Sequence, residues 1–195
     1  MMISLPYGNE MVEMEVPDQC FIGMIDPPKA QPAEYPEQEI RYAIEHPTGG
    51  RGLEDIISPD QKIAVIVDDG SRPTPISTIL PVLMEKLTDC GARPEHIKIV
   101  IALGSHRYMT EEEMRERVGD TIYDTYPVMN SEFRDPEHLV YIGDTEEGAP
   151  LMATSAIMDA QVRIGDGLGR GRENHLSRCG RRRYSLIFSL KGQSV

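Results

Sequence analysis

Residues 62–75 decide the fold, and they read Lys-Ile-Ala-Val-Ile-Val-Asp-Asp-Gly-Ser-Arg-Pro-Thr-Pro. The apolar, β-branched run from Ile63 to Val67 is typical of a parallel strand that is buried on both faces. Two carboxylates, a glycine turn and a Pro-Thr-Pro segment follow it. We expect Thr74 to cap a helix that has Pro75 in its first position and ends at Cys90-Gly91.

The residues that follow this strand predict an anion-binding site. A strand, a short polar loop and a helix N-terminus together bring backbone N–H groups to the carboxyl edge of a sheet. Arg72 lies within this loop, and its guanidinium would add a bidentate clamp for a carboxylate or a phosphate. Asp68, at the end of the strand, is expected to be a structural loop residue.

A second strand and helix repeat this arrangement about 30 residues later. The segment from Ile97 to Leu103 is again apolar and β-branched, and a polar loop from Gly104 to Met109 follows it. Thr110 and Glu113 form a capping-box pattern at the start of the next helix. Because βαβ crossovers are right-handed, both loops are expected at one edge of one parallel sheet, where ligands bind in such folds.

The rest of the chain adds shorter elements. Residues 3–16 alternate apolar and polar side chains around a polar turn, which predicts a β-hairpin. Other elements are expected at 21–25 (strand), 29–36 (extended connector), 36–45 and 52–57 (helices), and 126–130, 138–142, 150–155 and 161–164 (strands). The predicted fold class is therefore α/β, with a Rossmann-like parallel βαβ core and an N-terminal β-hairpin.

Composition narrows the range of functions. The chain of 195 residues carries a net charge of −12, which argues against nucleic acid or an anionic membrane surface as a partner. It has no apolar run of about 18 residues and no signal-peptide pattern at its start. The three cysteines (Cys20, Cys90 and Cys179) are scattered, so we expect a reduced, cytoplasmic protein without a thiolate metal site.

The two polar loops together resemble the N-terminal domain of the lactate racemase family. The segments Asp69–Pro75 and Ala102–Thr110 carry the resemblance through their order and spacing, and it extends weakly over roughly residues 3–165. It implies an isomerase that racemises or epimerises 2-hydroxy acids with a nickel-pincer nucleotide, which is a pyridinium mononucleotide that holds nickel. It also implies that the hydride moves through a planar keto-acid intermediate.

The resemblance assigns roles to individual residues. His106 would be catalytic and take the proton of the substrate hydroxyl, a role that histidine often fills. Arg72 would hold a carboxylate or the nucleotide phosphate, and Asp69 would accept a hydrogen bond from a ribose or substrate hydroxyl. The loop amides near Ser71 and Thr74 would face the phosphate, and no metal ligand is assigned in this chain. Without the resemblance, a histidine in a Gly-Ser turn is more often an ordinary turn residue.

The resemblance ends after about residue 166. The family continues with a second histidine, a Gly-Gly-Lys segment that tethers the cofactor, a nickel-ligating histidine and a C-terminal domain, none of which the following residues match. Residues 168–195 carry seven basic residues and one acidic residue, against 13 basic and 31 acidic in the first 167. We expect a lactate-racemase-like domain over 1–167 and a disordered basic tail over 168–195, in which Tyr184–Leu190 is apolar enough to form a strand.

Several interpretations stay open. The tail is explained either by a frameshift or damaged 3′ end of the coding sequence or by a natural basic extension. The leading function is the N-terminal catalytic domain of a nickel-pincer racemase, inactive as a fragment, with a 2-hydroxy acid and the missing C-terminal domain as its partners. The second is a non-catalytic nucleotide- or anion-binding module that uses Asp69, Arg72 and the helix N-terminus. The third is a βαβ domain that works only as a subunit of a larger assembly.

Overall fold

The structure is a computed structural model that describes residues 1–8, 10–25, 33–48, 50–104, 106–167 and 185–190. The chain divides into two compact units, Met1–Ala33 and Glu34–Val195. No helix within these described ranges is long and apolar enough to span a membrane.

The first unit is the predicted N-terminal hairpin. Strands β1 (Met2–Tyr7) and β2 (Glu10–Glu15) pair antiparallel, and Gly8 adopts a φ of 63° in the turn between them. A short 3₁₀ helix at Asp18–Cys20 follows. The strand predicted at 21–25 is wrong, because these residues pair with no other strand among the described residues. An apolar run forms a strand only where a neighbour accepts its hydrogen bonds. Half of the connector predicted at 29–36, residues 29–32, lies outside the described residues.

The second unit alternates strands and helices. Its strands are β3 (Ile63–Asp68), β4 (Ile97–Ala102), β5 (Val128–Asn130), β6 (Leu139–Asp144), β7 (Pro150–Thr154), β8 (Val162–Gly167) and β9 (Ser185–Leu190). Its helices are α1 (Pro36–Glu45), α2 (Ile76–Asp89), α3 (Glu111–Val118), α4 (Asp120–Thr125) and α5 (Ser155–Met158), with 3₁₀ turns at Leu53–Asp55, Pro94–His96 and Pro136–His138. The short helix predicted at 52–57 is therefore only a 3₁₀ turn.

The main sheet has the strand order β5-β4-β3-β8-β9. The first four strands are parallel, which confirms the predicted α/β fold with a Rossmann-like core. β9 runs antiparallel to β8 and lies within the segment Tyr184–Leu190 that the sequence marks as able to form a strand. Residues 168–184 and 191–195 lie outside the described residues, so the disordered tail stays a prediction. β6 and β7 form a separate antiparallel pair.

The core is one cluster of buried apolar side chains, to which β3, β4, β8 and α2 all contribute. The side chains of Ile63, Val65 and Val67 are at most 1% exposed, as expected for a strand covered on both faces. α2 ends as predicted at Cys90-Gly91, where the Ala92 and Gly91 amides bond to the carbonyls of Leu87 and Thr88 in a Schellman motif. Gly91 has a φ of 93°, which a side chain would disfavour.

The predicted start of α2 is wrong. The helix begins at Ile76, and Pro75 rather than Thr74 occupies the N-cap position without a side-chain cap. The Thr74 hydroxyl instead donates a hydrogen bond of 2.7 Å to Asp68 Oδ2. A carboxylate at the end of β3 is a stronger acceptor than solvent for this buried hydroxyl, so Thr74 ties the loop to the strand and does not cap the helix.

Candidate active site

A cavity of about 750 Å³ opens at the carboxyl edge of the sheet. It lies between the first loop (residues 69–75), the second loop (residues 103–110, of which Ser105 lies outside the described residues) and α3. Its described lining includes Asp69, Ser71, Thr74 and His106 from the predicted site, together with Arg107, Glu113, Glu116 and Arg117, which the sequence did not predict as site residues. The expectation that both loops meet at one edge is confirmed.

The second loop places His106 at this edge. The loop begins with a turn in which the His106 amide donates to the Leu103 carbonyl at 3.0 Å. Gly104 in that turn has a φ of 59°, a conformation that glycine adopts without strain and other residues rarely do. The imidazole is half exposed to the cavity, and its Nδ1 is hydrogen-bonded to Oδ2 of Asp69, whose side chain is only 9% exposed.

Both oxygens of the Asp69 carboxylate have hydrogen-bond partners. Its Oδ1 accepts hydrogen bonds from the Ser71 amide at 3.1 Å and from the Ser71 hydroxyl at 2.6 Å. Burial acts to raise the pKa of this carboxyl, but the hydrogen bonds from Ser71 and His106 outweigh it, so the pKa lies below the ordinary value. Asp69 is therefore ionised at neutral pH.

This pairing fixes the tautomer of His106. An ionised carboxylate only accepts hydrogen bonds, so Nδ1 of the imidazole must be the donor. In the neutral ring the proton then resides on Nδ1, and Nε2 keeps its lone pair. The arrangement leaves a base at the mouth of the cavity, held in place by a buried carboxylate, as in catalytic dyads of histidine and aspartate.

The end of β5 holds the second loop in position. The side chain of Asn130 accepts from the Met109 amide at 3.2 Å and donates to the Met109 carbonyl at 2.9 Å. The hydroxyl of Ser131 accepts from the Leu103 amide at 3.1 Å. Both ends of the second loop are thus tied to β5, on the side away from the first loop.

The start of α3 carries the predicted capping box, which the structure confirms. The Thr110 hydroxyl accepts from the Glu113 amide at 3.2 Å, and the Glu113 carboxylate accepts from the Thr110 amide at 2.9 Å. Arg107 forms a bidentate ion pair with Glu113, in which its two terminal nitrogens lie 2.8 and 2.6 Å from the carboxylate oxygens. The Arg107 guanidinium and the Thr110 amide lower the pKa of Glu113 to about 2, so this group stays ionised.

Arg117, near the end of α3, contacts the first loop directly. Its Nε donates to the Asp68 carbonyl at 2.9 Å, and one terminal nitrogen donates to the carbonyls of Arg72 at 3.1 Å and Thr74 at 2.9 Å. Sequence reasoning missed this residue. Its helical phase was the available signal, because Arg117 adjoins the buried positions Met114 and Val118, and a cation on a buried helix face needs a partner.

Asp166 ends β8 at the same sheet edge and was also missed. Its side chain is buried, and its Oδ2 has no hydrogen-bond partner among the described residues. Burial and the neighbouring charge of Asp68 raise the pKa of this carboxyl to about 7, against the opposing effect of the Arg117 guanidinium. The sheet edge therefore holds one carboxyl that is ionised, Asp69, and one that is about half protonated near pH 7.

The other predicted site residues lie in the first loop but take different positions. The Arg72 amide donates to the Asp69 carbonyl at 3.2 Å, and its side chain is half-buried but is not among the described residues that line the cavity. Thr74 lines the cavity, with its hydroxyl already bonded to Asp68. Binding of a phosphate or carboxylate by Arg72, Ser71 and Thr74 stays a prediction.

The residues present fit part of the cofactor that the resemblance implies. A cavity of this volume suits a mononucleotide, and its lining offers the hydroxyl of Ser77. The Ser71 hydroxyl and the Arg107 guanidinium also line the cavity, but they are bonded to Asp69 and Glu113. The described ranges contain no group of three or more His, Cys, Asp or Glu side chains that could hold a metal ion. The fit therefore concerns the nucleotide and not the nickel.

Known proteins that are similar to this chain in sequence or structure include lactate racemases. The chain is 25% identical to the lactate racemase of Thermoanaerobacterium thermosaccharolyticum and 27% identical to that of Lactiplantibacillus plantarum, each over 170 residues that make up 85% of this chain. It spans only 39% of the length of either relative. The solved structure of the lactate racemase apoprotein from T. thermosaccharolyticum superposes with a TM-score of 0.65 and 26% identity, over 85% of this chain and 38% of that one. The family model of the lactate racemase N-terminal domain matches residues 7–169, and the chain therefore belongs to that family.

Proposed function

We propose that this chain forms the proton-transferring half of the active site of a 2-hydroxy-acid racemase that works with a nickel-pincer nucleotide. The observation that carries the proposal is the pair of His106 and Asp69 at the cavity. Relatives of the same family are lactate racemases, and the chain spans about two fifths of their length. We expect it to be inactive until the remaining part of such an enzyme completes the site.

In this proposal His106 removes the proton from the hydroxyl at C2 of the substrate. With the proton of the neutral ring on Nδ1, Nε2 would be the free base, and Asp69 would stabilise the imidazolium that forms. The same imidazolium returns the proton to the oxygen when the opposite stereoisomer is made. Asp69 does not need to exchange a proton during this cycle, because its carboxyl has a pKa below the ordinary value.

The first loop and the N-terminus of α2 would receive the phosphate and ribose of the nucleotide. Amides at a helix N-terminus and the hydroxyl of Ser77 are suitable donors for a phosphate, whereas the hydroxyl of Ser71 would first have to release Asp69. Arg72 would add a positive charge toward the phosphate or the substrate carboxylate. When bound, the nucleotide supplies the acceptor for the hydride from C2.

Two further features belong to this proposal. Cys20 and Cys90 are free thiols in the described part of the chain, which favours a reducing compartment such as the cytoplasm. The metal ligands and the remaining substrate contacts would come from a C-terminal domain. A small 2-hydroxy acid and that domain are then the partners of this chain.

A non-catalytic nucleotide-binding module is the alternative. The observation that favours it is that no lysine is among the described residues that line the cavity, so a covalent tether for the cofactor is missing from this part of the site. A chain of this kind would bind a mononucleotide and do no chemistry.

The test is a chimera that supplies the missing part. Residues 7–167 of this chain would replace the matching segment of the T. thermosaccharolyticum lactate racemase, the enzyme would be loaded with the preformed cofactor, and C2 hydrogen exchange of D- and L-lactate would be followed by NMR. We expect exchange in the chimera and a loss of about 100- to 10,000-fold in His106→Gln, the range for removing a general base.

His138→Gln is the matched control. His138 also pairs through Nδ1 with an aspartate, Asp135 at 3.0 Å, but this pair is exposed and does not line the cavity. It should leave the exchange rate unchanged. A folded chimera that shows no exchange, while the isolated chain binds nicotinic acid mononucleotide in an NMR titration, would support the binding module and refute the racemase proposal.

A further inference from the structure

Arg117 donates hydrogen bonds to three backbone carbonyl groups at the first loop. Its three hydrogen bonds reach the carbonyls of Asp68, Arg72 and Thr74, which lie before, within and near the end of the turn. One guanidinium satisfies all three because its donors are arranged in a rigid fork. The conformation of the loop is thus fixed from outside the loop, by a side chain of α3. Arg117 is 49 residues away from Asp68 in sequence.

The same helix is tied to the second loop. α3 begins at Glu111, directly after the second loop, and its capping box and the Arg107–Glu113 ion pair anchor that junction. Arg117 is therefore at one end of a rigid helix whose other end is fixed to the loop that carries His106. The first loop, which carries Asp69, is fixed to that helix by Arg117.

The Arg117 guanidinium is partly buried and has three carboxyl groups nearby. Burial lowers the pKa of its guanidinium, while the carboxylates of Asp68, Asp69 and Asp166 oppose that effect. Its second terminal nitrogen is buried and has no hydrogen-bond partner among the described residues. A half-buried cation with an unsatisfied donor is costly to keep, and the hydrogen bonds to the three carbonyls offset part of that cost.

We propose that Arg117 is a positioning residue of the active site, which sets Asp69 against His106 by holding the carbonyl side of the first loop to α3. It acts through the loop, because its three hydrogen bonds all go to backbone carbonyls at the first loop, although its side chain also lines the cavity. The inference does not depend on the proposed function, because the pair of Asp69 and His106 is present in the ligand-free chain.

The test reads the tautomer of His106 in the isolated chain. Two-bond ¹H–¹⁵N correlation spectra would be recorded at about pH 9, where an ordinary imidazole is neutral, and the signals would be assigned with His106→Gln. In the wild-type chain we expect Nδ1 to carry the proton. In Arg117→Met we expect the two tautomers to mix, because Asp69 no longer meets Nδ1.

Two variants separate positioning from folding. Arg115→Met makes the same change two residues away on α3, where the arginine pairs with the exposed Asp120 and Asp124, and should keep the wild-type tautomer. Arg117→Lys keeps the charge but lacks the fork, so it should behave like Arg117→Met and is available if the methionine variant does not fold. Amide spectra of β3 and β4 would confirm that each variant keeps the sheet.

The outcomes are distinct. A mixed tautomer in both Arg117 variants, with the wild-type tautomer in Arg115→Met, would support the proposal. A folded Arg117 variant in which Nδ1 keeps the proton as in the wild type would overturn it, and so would the same tautomer mixing in Arg115→Met. Because the tautomer is measured in the isolated chain without a ligand, these results do not depend on whether the chimera catalyses C2 hydrogen exchange.

Discussion

Replacing Asp166 with asparagine should make the protein more stable at neutral and alkaline pH. Asp166 is buried at the end of β8 and its Oδ2 lacks a partner among the described residues. Burial and the charge of Asp68 raise its pKa from 3.8 to about 7. The native state therefore prefers this carboxyl protonated, and ionisation above pH 7 acts against folding. An amide has nearly the same shape and cannot ionise.

The size of the effect follows from the pKa. A rise from 3.8 to about 7 corresponds to about 4 kcal/mol, at 1.36 kcal/mol for each tenfold change in proton affinity. Between pH 4 and 7 the unfolded chain has released the proton while the native state still holds it, so the free energy of unfolding falls as the pH rises. Above about pH 7 both states are ionised and the loss is complete.

Urea unfolding from about pH 4.5 to 8.5 measures this directly. At pH 8.5 Asp166→Asn should exceed the wild type by about 4 kcal/mol, which is a shift of roughly 2 M in the urea midpoint for a slope of about 2 kcal/mol per M. The two proteins should converge as the pH approaches 4.5. Asp124→Asn is the control, since Arg115 lowers the pKa of that exposed carboxyl and its removal should give no gain at high pH. Parallel pH profiles for Asp166→Asn and the wild type would refute the reasoning.

Three further changes test other parts of the structure. Asp69→Asn should move the proton of His106 from Nδ1 to Nε2, because an amide can donate to Nδ1, and a ¹⁵N spectrum that still shows Nδ1–H would contradict the assigned tautomer. Gly91→Ala should lower the free energy of unfolding by about 1–2 kcal/mol and the melting temperature by roughly 2–8 °C in calorimetry, because the φ of Gly91 is 93°. Gly70→Ala is the control, since its Cβ would meet only Met109 Cε at 3.8 Å, and it should leave the melting temperature unchanged. Leu83→Ala removes a side chain that is 0% exposed and should cost about 2–5 kcal/mol in urea unfolding with an unchanged slope, while a cost under about 1 kcal/mol would contradict its place in the core.

The sequence predicts the sheet edge well because the signals there are local. The buried strands show as unbroken β-branched runs, and the structure confirms β3 and β4 to within one residue of their predicted ends. The capping box needs only Thr110 and Glu113, and the end of α2 needs only a glycine that tolerates a positive φ. Each of these features depends on residues within a few positions of each other.

The contacts that build the site depend on residues that are far apart in sequence. His106 is 37 residues from Asp69, and Arg117 is 49 residues from Asp68. No periodicity links such pairs, so the sequence placed both loops at one edge without showing which side chains meet. The error at Thr74 has a different origin, because its hydroxyl donates to the carboxylate of Asp68, only six residues away, and does not accept from the amides of α2.

The role of Asp69 shows how the pairing changes the chemistry expected from a motif. Motif resemblance assigns it as an acceptor for a ribose or substrate hydroxyl, but in the structure Oδ1 already accepts two hydrogen bonds from Ser71 and Oδ2 is bonded to His106. A carboxylate committed in this way has little capacity left for a ligand. Its effect on a substrate would then pass through the imidazole, whose proton it holds on Nδ1. Under the proposed function, the first loop would thus contribute orientation to the site, and the second loop would contribute the base.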